Sequence, residues 1–98
     1  MLEIHYTNRM KRTANAMKKR GKDMSKLRDV LLLLASQGTK GTNVTMPNHY
    51  RDHPLKGKYS GFRECHIEHD WLLIYRIYKE KLILSATATG THADLFGD

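Results

Sequence analysis

Residues 62–89 read FRECHIEHDWLLIYRIYKEKLILSATAT and have the clearest strand pattern in the chain. Three runs in this segment are rich in β-branched and aromatic residues: Phe62–Glu68, Trp71–Tyr78 and Leu82–Thr89. That composition is typical of strands. The gaps between the runs, at His69-Asp70 and Lys79-Glu80, are short, and short gaps join strands in antiparallel order. The segment therefore predicts an antiparallel meander of three strands.

The amino-terminal part predicts a short strand followed by a helix. Apolar and polar residues alternate over residues 2–6, as in a half-buried strand. Thr7 or Asn8 can cap a helix that runs to about Arg20, and Gly21 can end it because glycine accepts a left-handed conformation. Apolar residues at helical spacing define its inner face: Met10, Ala14 and Met17.

A second helix is predicted to begin at Asp23 or Ser25 and to end at Gly38. Its inner face is apolar at Leu27, Val30, Leu31, Leu34 and Ala35. Two helices joined by so few residues form an antiparallel hairpin. The expected fold is α+β, with the N-terminal strand and the helical hairpin packed on a small antiparallel β-sheet, in a single domain over residues 1–98.

Two further segments complete the expected architecture. Residues 38–58 contain both prolines and several glycine, threonine and asparagine residues, which predicts a long polar connection. Connections of this length are often functional. The last residues, His92–Gly97, are expected to form a turn or a single helical turn.

The composition excludes several classes of protein. Apolar residues make up 40% and charged residues 28% of the 98 residues, which is ordinary globular composition. No apolar run reaches the roughly 18 residues that a membrane span needs. The amino terminus has no secretory pattern, and the single cysteine, Cys65, cannot form an internal disulfide. We therefore expect a cytoplasmic protein.

The net charge of +7 is concentrated at one end of the chain. Residues 1–28 contain nine Lys and Arg against two acidic residues, whereas residues 29–98 contain eight of each. A basic patch of this kind attracts polyanions. RNA, DNA and an acidic protein partner all remain open, and the bland alternative is a solvated basic helix.

The candidate chemistry lies between residues 53 and 92. Four histidines occur there together with an Asp-Trp pair: His53, His66, His69, His92, Asp70 and Trp71. Strand alternation places Phe62, Glu64, His66 and Glu68 on one face, opposite Arg63, Cys65 and Ile67. Histidine suits proton transfer in metal-free RNA cleavage, while Lys and Arg complement phosphate charge and aromatic rings stack on bases.

Other interpretations of these residues are weaker. A metal site built from His66, His69 and Asp70 lacks any accompanying CxxC or HExxH pattern. Cys65 is expected in the core, away from His66, so a cysteine nucleophile is disfavoured. Any one histidine can be merely structural, and Trp71 is a residue type more often found in a core than in a stacking site.

Two motifs in order resemble the YafQ branch of the RelE-type toxins of bacterial type II toxin–antitoxin systems. Residues 52–77 read DHPLKGKYSGFRECHIEHDWLLIYRI, and residues 90–97 read GTHADLFG. The resemblance implies a fold like that of small microbial ribonucleases. It also implies a ribosome-dependent endoribonuclease that cleaves messenger RNA in the ribosomal A site with no metal or other cofactor, inhibiting translation.

The resemblance also implies the site residues and the partners. The catalytic set would be His53, His66, Asp70 and His92. The substrate-binding set would be Trp71, Phe96, Lys56, Lys58 and Arg63. The expected partners are a cognate antitoxin, the ribosome with its RNA, and messenger RNA. Operator DNA would be bound only through the antitoxin, and no membrane is involved.

Two departures from the family pattern affect these expectations. His69 stands where this branch usually has proline, which removes a fixed φ angle and adds a titratable group. The strand before GTH usually contains an arginine, but residues 85–89 read SATAT. An alternative function is that of the ParE relatives, which inhibit DNA gyrase on the same scaffold without the histidine set. A third is an inert relative that only pairs with its antitoxin.

Overall fold

The structure is a computed structural model that describes residues 1–37 and 46–97. The strands in these ranges are β1 Glu3–Tyr6, β2 His53–Pro54, β3 Arg63–Glu68, β4 Trp71–Tyr78 and β5 Ile83–Gly90. The helices are α1 Asn8–Lys19, α2 Met24–Gln37 and α3 His92–Phe96, with single 3₁₀ turns at Asn48–Tyr50 and Gly57–Tyr59. The α+β class and the order of the elements are confirmed. The expected end of α2 at Gly38 and the first part of the polar connection lie outside the described residues.

The strands form one sheet in the order β1-β5-β4-β3-β2. The meander of β3, β4 and β5 is antiparallel, as predicted, but β1 lies parallel to β5. Parallel neighbours need a long connection, and the two helices between β1 and the rest of the sheet provide it. The sheet is therefore mixed, whereas the sequence predicted an antiparallel one.

The two helices cover one face of the sheet, and the caps of α1 agree with the sequence. The Thr7 hydroxyl accepts the Met10 amide at 2.9 Å, and Gly21 has a φ of 87° just after α1. The apolar faces predicted for α1 and α2 pack in the core with residues of β4 such as Trp71 and Tyr75. This core is the larger of two.

A second apolar cluster lies on the opposite face of the sheet. Its buried members are Leu72, Ile74, Ala88 and Leu95, and its partly buried members are Leu55, Tyr59, Phe62 and Phe96. Helix α3 and residues 55–62 supply the cover on this face. Strand β4 is consequently buried on both faces, and it contributes side chains to both clusters in alternation.

The polar connection contains a short strand that the sequence did not predict. β2 pairs with β3, with His53 opposite Glu64 and Pro54 opposite Arg63. A two-residue strand is too short to show alternation. Its proline is compatible with the sheet because β2 is at the edge, where one side of the backbone needs no partner.

Helix α3 has five residues, and hydrogen bonds in its first turn stabilise it. The Thr91 hydroxyl accepts the Asp94 amide, and the Asp94 carboxylate accepts the Thr91 amide, which together make a capping box. Arg20 at the end of α1 donates to the same carboxylate, at 2.6 and 3.2 Å. The ion pair connects the helical layer to α3 around the edge of the sheet.

The first prediction concerns Trp71, which has no exposed surface and whose ring Nε1 donates to the Thr89 hydroxyl at 2.9 Å. Replacing Trp71 with Ala leaves a cavity, and we expect the free energy of unfolding to fall by about 3–5 kcal/mol. Urea denaturation followed by circular dichroism measures this change. The matched control is Leu32→Ala on the exposed side of α2, which should change stability by about 0.5 kcal/mol or less. Equal losses in the two variants would contradict the assignment.

A second prediction concerns Asp94. The Arg20 guanidinium, and secondarily the Thr91 amide, lower the pKa of this carboxyl from 3.8 to about 2. A carboxyl with a lowered folded-state pKa stabilises the fold above its ordinary pKa, and that contribution is lost as pH falls from about 4 to about 2. Asp94→Asn should therefore be less stable than the native chain at pH 6, and the difference should disappear near pH 2. Unfolding curves across this range test it, and a difference independent of pH would refute it.

Candidate active site

Strand β3 presents two polar side chains of the candidate site on the face covered by α3. Glu64 and His66 point to this face, as strand alternation predicted. Glu68 was expected there too, but a bulge between His66 and Glu68 shifts the register. The Glu68 carboxylate instead accepts hydrogen bonds from Lys22 and Lys26 of the helical side, at 2.9 and 2.8 Å.

His66 is held between two acceptors. Its Nδ1 is 3.2 Å from the carbonyl oxygen of His69, and its Nε2 is 3.3 Å from the Glu64 carboxylate. Its side chain is only 11% exposed. Both ring nitrogens of His66 therefore face oxygen atoms of the protein. Together the carbonyl and the carboxylate fix the orientation of the His66 ring.

His92 is fixed by a single oxygen of Asp70. Both the backbone amide of His92 and its ring Nδ1 lie near Asp70 Oδ1, at 3.1 and 3.0 Å. These contacts, the backbone one first, lower the pKa of the Asp70 carboxyl. The ring Nε2 of His92 remains available to a ligand, since the side chain is half exposed. The rings of His92 and His66 lie 5.9 Å apart.

The third histidine, His53, enters the site from the edge strand β2. Its Nδ1 is 2.7 Å from the carbonyl oxygen of Arg51, and its Nε2 is 3.9 Å from the Glu64 carboxylate. Glu64 therefore lies between His53 and His66, with a side chain only 5% exposed. We did not single out Glu64 as a site residue from the sequence, although strand alternation had already placed it beside His66.

The donor atoms of Glu64, His66 and His92 also form a possible metal site, since they all lie within 4.8 Å of one another. Two imidazoles and a carboxylate are a donor set that suits zinc or copper. The combination considered from the sequence was a different one, of His66 with His69 and Asp70. In the structure, the His66 ring contacts the backbone carbonyl of His69.

Two of the predicted substrate-binding residues do not face the site. Trp71 is fully buried beneath the helices, so its ring has no free face for a base, and its role is in packing. Arg63 points to the helical side, where its guanidinium donates to Asp52 at 2.8 and 3.2 Å. Tyr75 donates to the same carboxylate. These positions do not favour a role for Trp71 or Arg63 in RNA binding at this site, because strand alternation turns both side chains toward the helices.

The other predicted binding residues lie in helix α3 and in residues 55–62, on the face of the sheet opposite α1 and α2, here called the open side. Phe96 is half buried, with its ring 6.1 Å from His92 and 5.6 Å, edge to face, from that of Tyr59. Lys58 places its ammonium 5.5 Å from the centre of the Tyr59 ring. Lys56 is exposed beside it in the chain.

The basic helix α1 reaches this side as well, which the sequence did not indicate. Arg9 donates to the Tyr59 hydroxyl at 2.9 Å, and Arg20 contacts Asp94. Both arginines therefore lie beside α3, which carries His92. A contact between residues 50 or more positions apart leaves no local pattern that could have revealed it.

Cys65 plays no part in this arrangement. It lies in the core beneath the helices with no exposed surface, as expected from the alternation of β3. Burial raises the pKa of its thiol. A thiol in this state is a poor nucleophile.

Comparison with known proteins agrees with the resemblance found in the motifs. Residues 2–97 match the sequence model of a family described as the bacterial toxin of type II toxin–antitoxin system, YafQ. The mRNA interferase toxin YafQ of Escherichia coli K12 is 38% identical over 95 residues, which cover 97% of this chain and 96% of the relative.

Solved structures agree in fold over almost the whole chain. The toxin in the Escherichia coli DinJ-YafQ complex matches with a TM-score of 0.84 and 37% identity, covering 99% of this chain and 100% of that one. A metal-bound toxin from Helicobacter pylori matches with a TM-score of 0.86 and 34% identity, covering 98% and 100%. No helix among the described residues is long and apolar enough to cross a membrane. On this agreement in sequence and fold, the chain belongs to the YafQ family of toxins of bacterial type II toxin–antitoxin systems.

Proposed function

We propose that this chain is the toxin of a type II toxin–antitoxin system and that it cleaves messenger RNA in the ribosomal A site without a metal, which stops translation. The chain is an endoribonuclease of the YafQ family, whose Escherichia coli K12 member is named an mRNA interferase. One observation supports the metal-free mechanism above all. Asp70 fixes His92 through its Nδ1, and the centre of the His92 ring lies 5.9 Å from the centre of the His66 ring.

Three histidines have separate roles in the proposed reaction: His53, His66 and His92. The 2′-hydroxyl oxygen of the RNA attacks the adjacent phosphorus, a new O2′–P bond forms, and the P–O5′ bond breaks. The Nδ1–H of His53 donates a hydrogen bond to the Arg51 carbonyl oxygen. Its Nε2 then keeps a lone pair, and this nitrogen accepts the proton of the 2′-hydroxyl. His92 donates a proton from Nε2 to the departing 5′-oxygen.

His66 and Asp70 act without exchanging a proton with the substrate in this scheme. The ring of His66 stabilises the negative charge that gathers on the phosphorane oxygens. Asp70 orients His92 and stabilises its charged form, as a carboxylate does for a histidine in a catalytic triad. Its lowered pKa makes it a poor general base, which favours the orienting role over the alternative of proton abstraction.

The proposed partners follow from the family and from the charge. The Escherichia coli relative is seen in complex with DinJ, and we expect a cognate antitoxin here that alone contacts operator DNA. The nine Lys and Arg of residues 1–28 would face ribosomal RNA or an acidic segment of the antitoxin. Phe96, Lys56 and Lys58, on the open side, would hold the RNA strand.

The central prediction concerns His92 and Asp70. We expect His92→Ala and Asp70→Ala each to reduce cleavage on programmed ribosomes by about 10²- to 10⁴-fold. The first variant removes the proton donor, and the second removes the carboxylate that orients it. Both variants should relieve growth arrest with unchanged circular dichroism, since both side chains are half exposed. Mapping of transcript ends after induction gives the readout.

The matched control is His5→Ala, because His5 is exposed and pairs with Glu3 away from the site. It should remain fully toxic. Full toxicity of both site variants would contradict the assignment, and DNA damage without cuts in translated messages would favour gyrase inhibition instead.

A further prediction tests the absence of a catalytic metal. A chelator selective for transition metals, which leaves the Mg²⁺ of the ribosome in place, should not change the rate of cleavage. Added Zn²⁺ or Cu²⁺ should lower it, because Glu64, His66 and His92 would ligate the ion with the groups that the reaction needs. Loss of cleavage on chelation, with recovery when Zn²⁺ is restored, would show that the mechanism requires a metal.

A further inference from the structure

A cavity adjoins the candidate active site at the turn between β3 and β4. Its volume is about 290 Å³, and it is lined by His49, Arg51, His66, Ile67, Glu68 and His69. Two of these histidines, His49 and His69, have no role in the proposed reaction. The cavity is not needed for packing either, because the side chains of His49, Arg51 and His69 are exposed around it.

The charge around this cavity favours an anion. Glu68 is the acidic residue in its lining, and Lys26 and Lys22 donate to its two carboxylate oxygens. Those bonds lower the pKa of Glu68, so its negative charge is balanced by the helices. What remains is the guanidinium of Arg51 together with the imidazoles of His49 and His69, all of them groups that donate hydrogen bonds to phosphate oxygens.

The cavity is continuous with the active site through two backbone contacts. The His69 carbonyl contacts Nδ1 of His66, and the Arg51 carbonyl contacts Nδ1 of His53. The residues that line the cavity thus also hold two histidines of the reactive group. The ring of His66 forms a wall of both spaces, so a group bound in the cavity lies next to the scissile linkage.

We propose that this cavity binds a phosphate group of the substrate RNA, one that neighbours the phosphate being cleaved. Arg51 and His69 are the specific donors, and His49 closes the outer side. The proposal rests on the proposed function, since it takes the RNA strand at the active site as its starting point. It gives a binding role to His69, at the position where the motifs of the chain depart from those they resemble.

Two variants remove the donors and keep the backbone. Arg51 has a φ of 49°, a conformation that asparagine accepts more readily than most residues, so Arg51→Asn avoids added strain. His69→Ala keeps the carbonyl that contacts His66. The matched controls are Lys81→Asn, in the exposed connection between β4 and β5, and His5→Ala, on β1.

The experiment measures binding to a single-stranded RNA oligonucleotide whose 2′-hydroxyls are methylated, so that it cannot be cleaved. One linkage at a time is replaced with an uncharged methylphosphonate. For the native chain and the two controls, we expect one linkage beside the active site to weaken binding on the order of tenfold when neutralised. In Arg51→Asn and His69→Ala, binding to the unmodified RNA should be weaker, and neutralising that same linkage should have little further effect. Arg51→Asn should also reduce the slope of log Kd against log salt by about 0.7.

The outcome separates the cavity from the proposed function. If the native chain cleaves messages on ribosomes but every linkage has the same effect in native and variant chains, the cavity is not a phosphate site and the function stands. The opposite result is that the native chain fails to cleave messages while neutralising one linkage weakens its RNA binding and leaves the binding of both variants unchanged. In that case the phosphate site stands and the proposed reaction is wrong.

Discussion

Strand β4 is buried on both faces, and this constraint determines where the reactive groups lie. Helices α1 and α2 cover one face, so the opposite apolar face needs a second cover. The five-residue helix α3 provides part of it, although a helix of this length is not stable alone. His92 begins this helix and therefore comes to lie beside His66 of β3. The packing that completes the core also assembles the site.

Local patterns in the sequence were sufficient for most of the fold. Apolar spacing and capping residues predicted α1 and α2, and alternation predicted the faces of β3 at Glu64, His66 and Cys65. The features that escaped prediction depend on contacts between distant segments or on a single irregular residue. The parallel pairing of β1 depends on its contact with β5, which is far away in the chain. The bulge that turns Glu68 toward the helices is a single irregular residue, and no pattern of composition indicates it.

The candidate site was predictable in its histidines and less so in what surrounds them. The motifs indicate which histidines belong to the candidate site, but they do not show which side chains contact them. Glu64, buried between two histidines, and Arg9, which reaches the open side from α1, became apparent only in three dimensions. The sequence placed the excess positive charge in residues 1–28 and the candidate chemistry between residues 53 and 92. The contact between Arg20 and Asp94 instead joins the basic helices directly to α3.

The buried thiol of Cys65 has a consequence for how such a protein can be regulated. The thiolate is the form that reacts with peroxides and with glutathione disulfide, and burial in the core keeps this sulfur protonated and inaccessible. Because the chain has no other cysteine, it offers oxidants no sulfur through which a thiol switch could act. Oxidation of the thiol is therefore not a route by which the activity of the folded chain can be controlled.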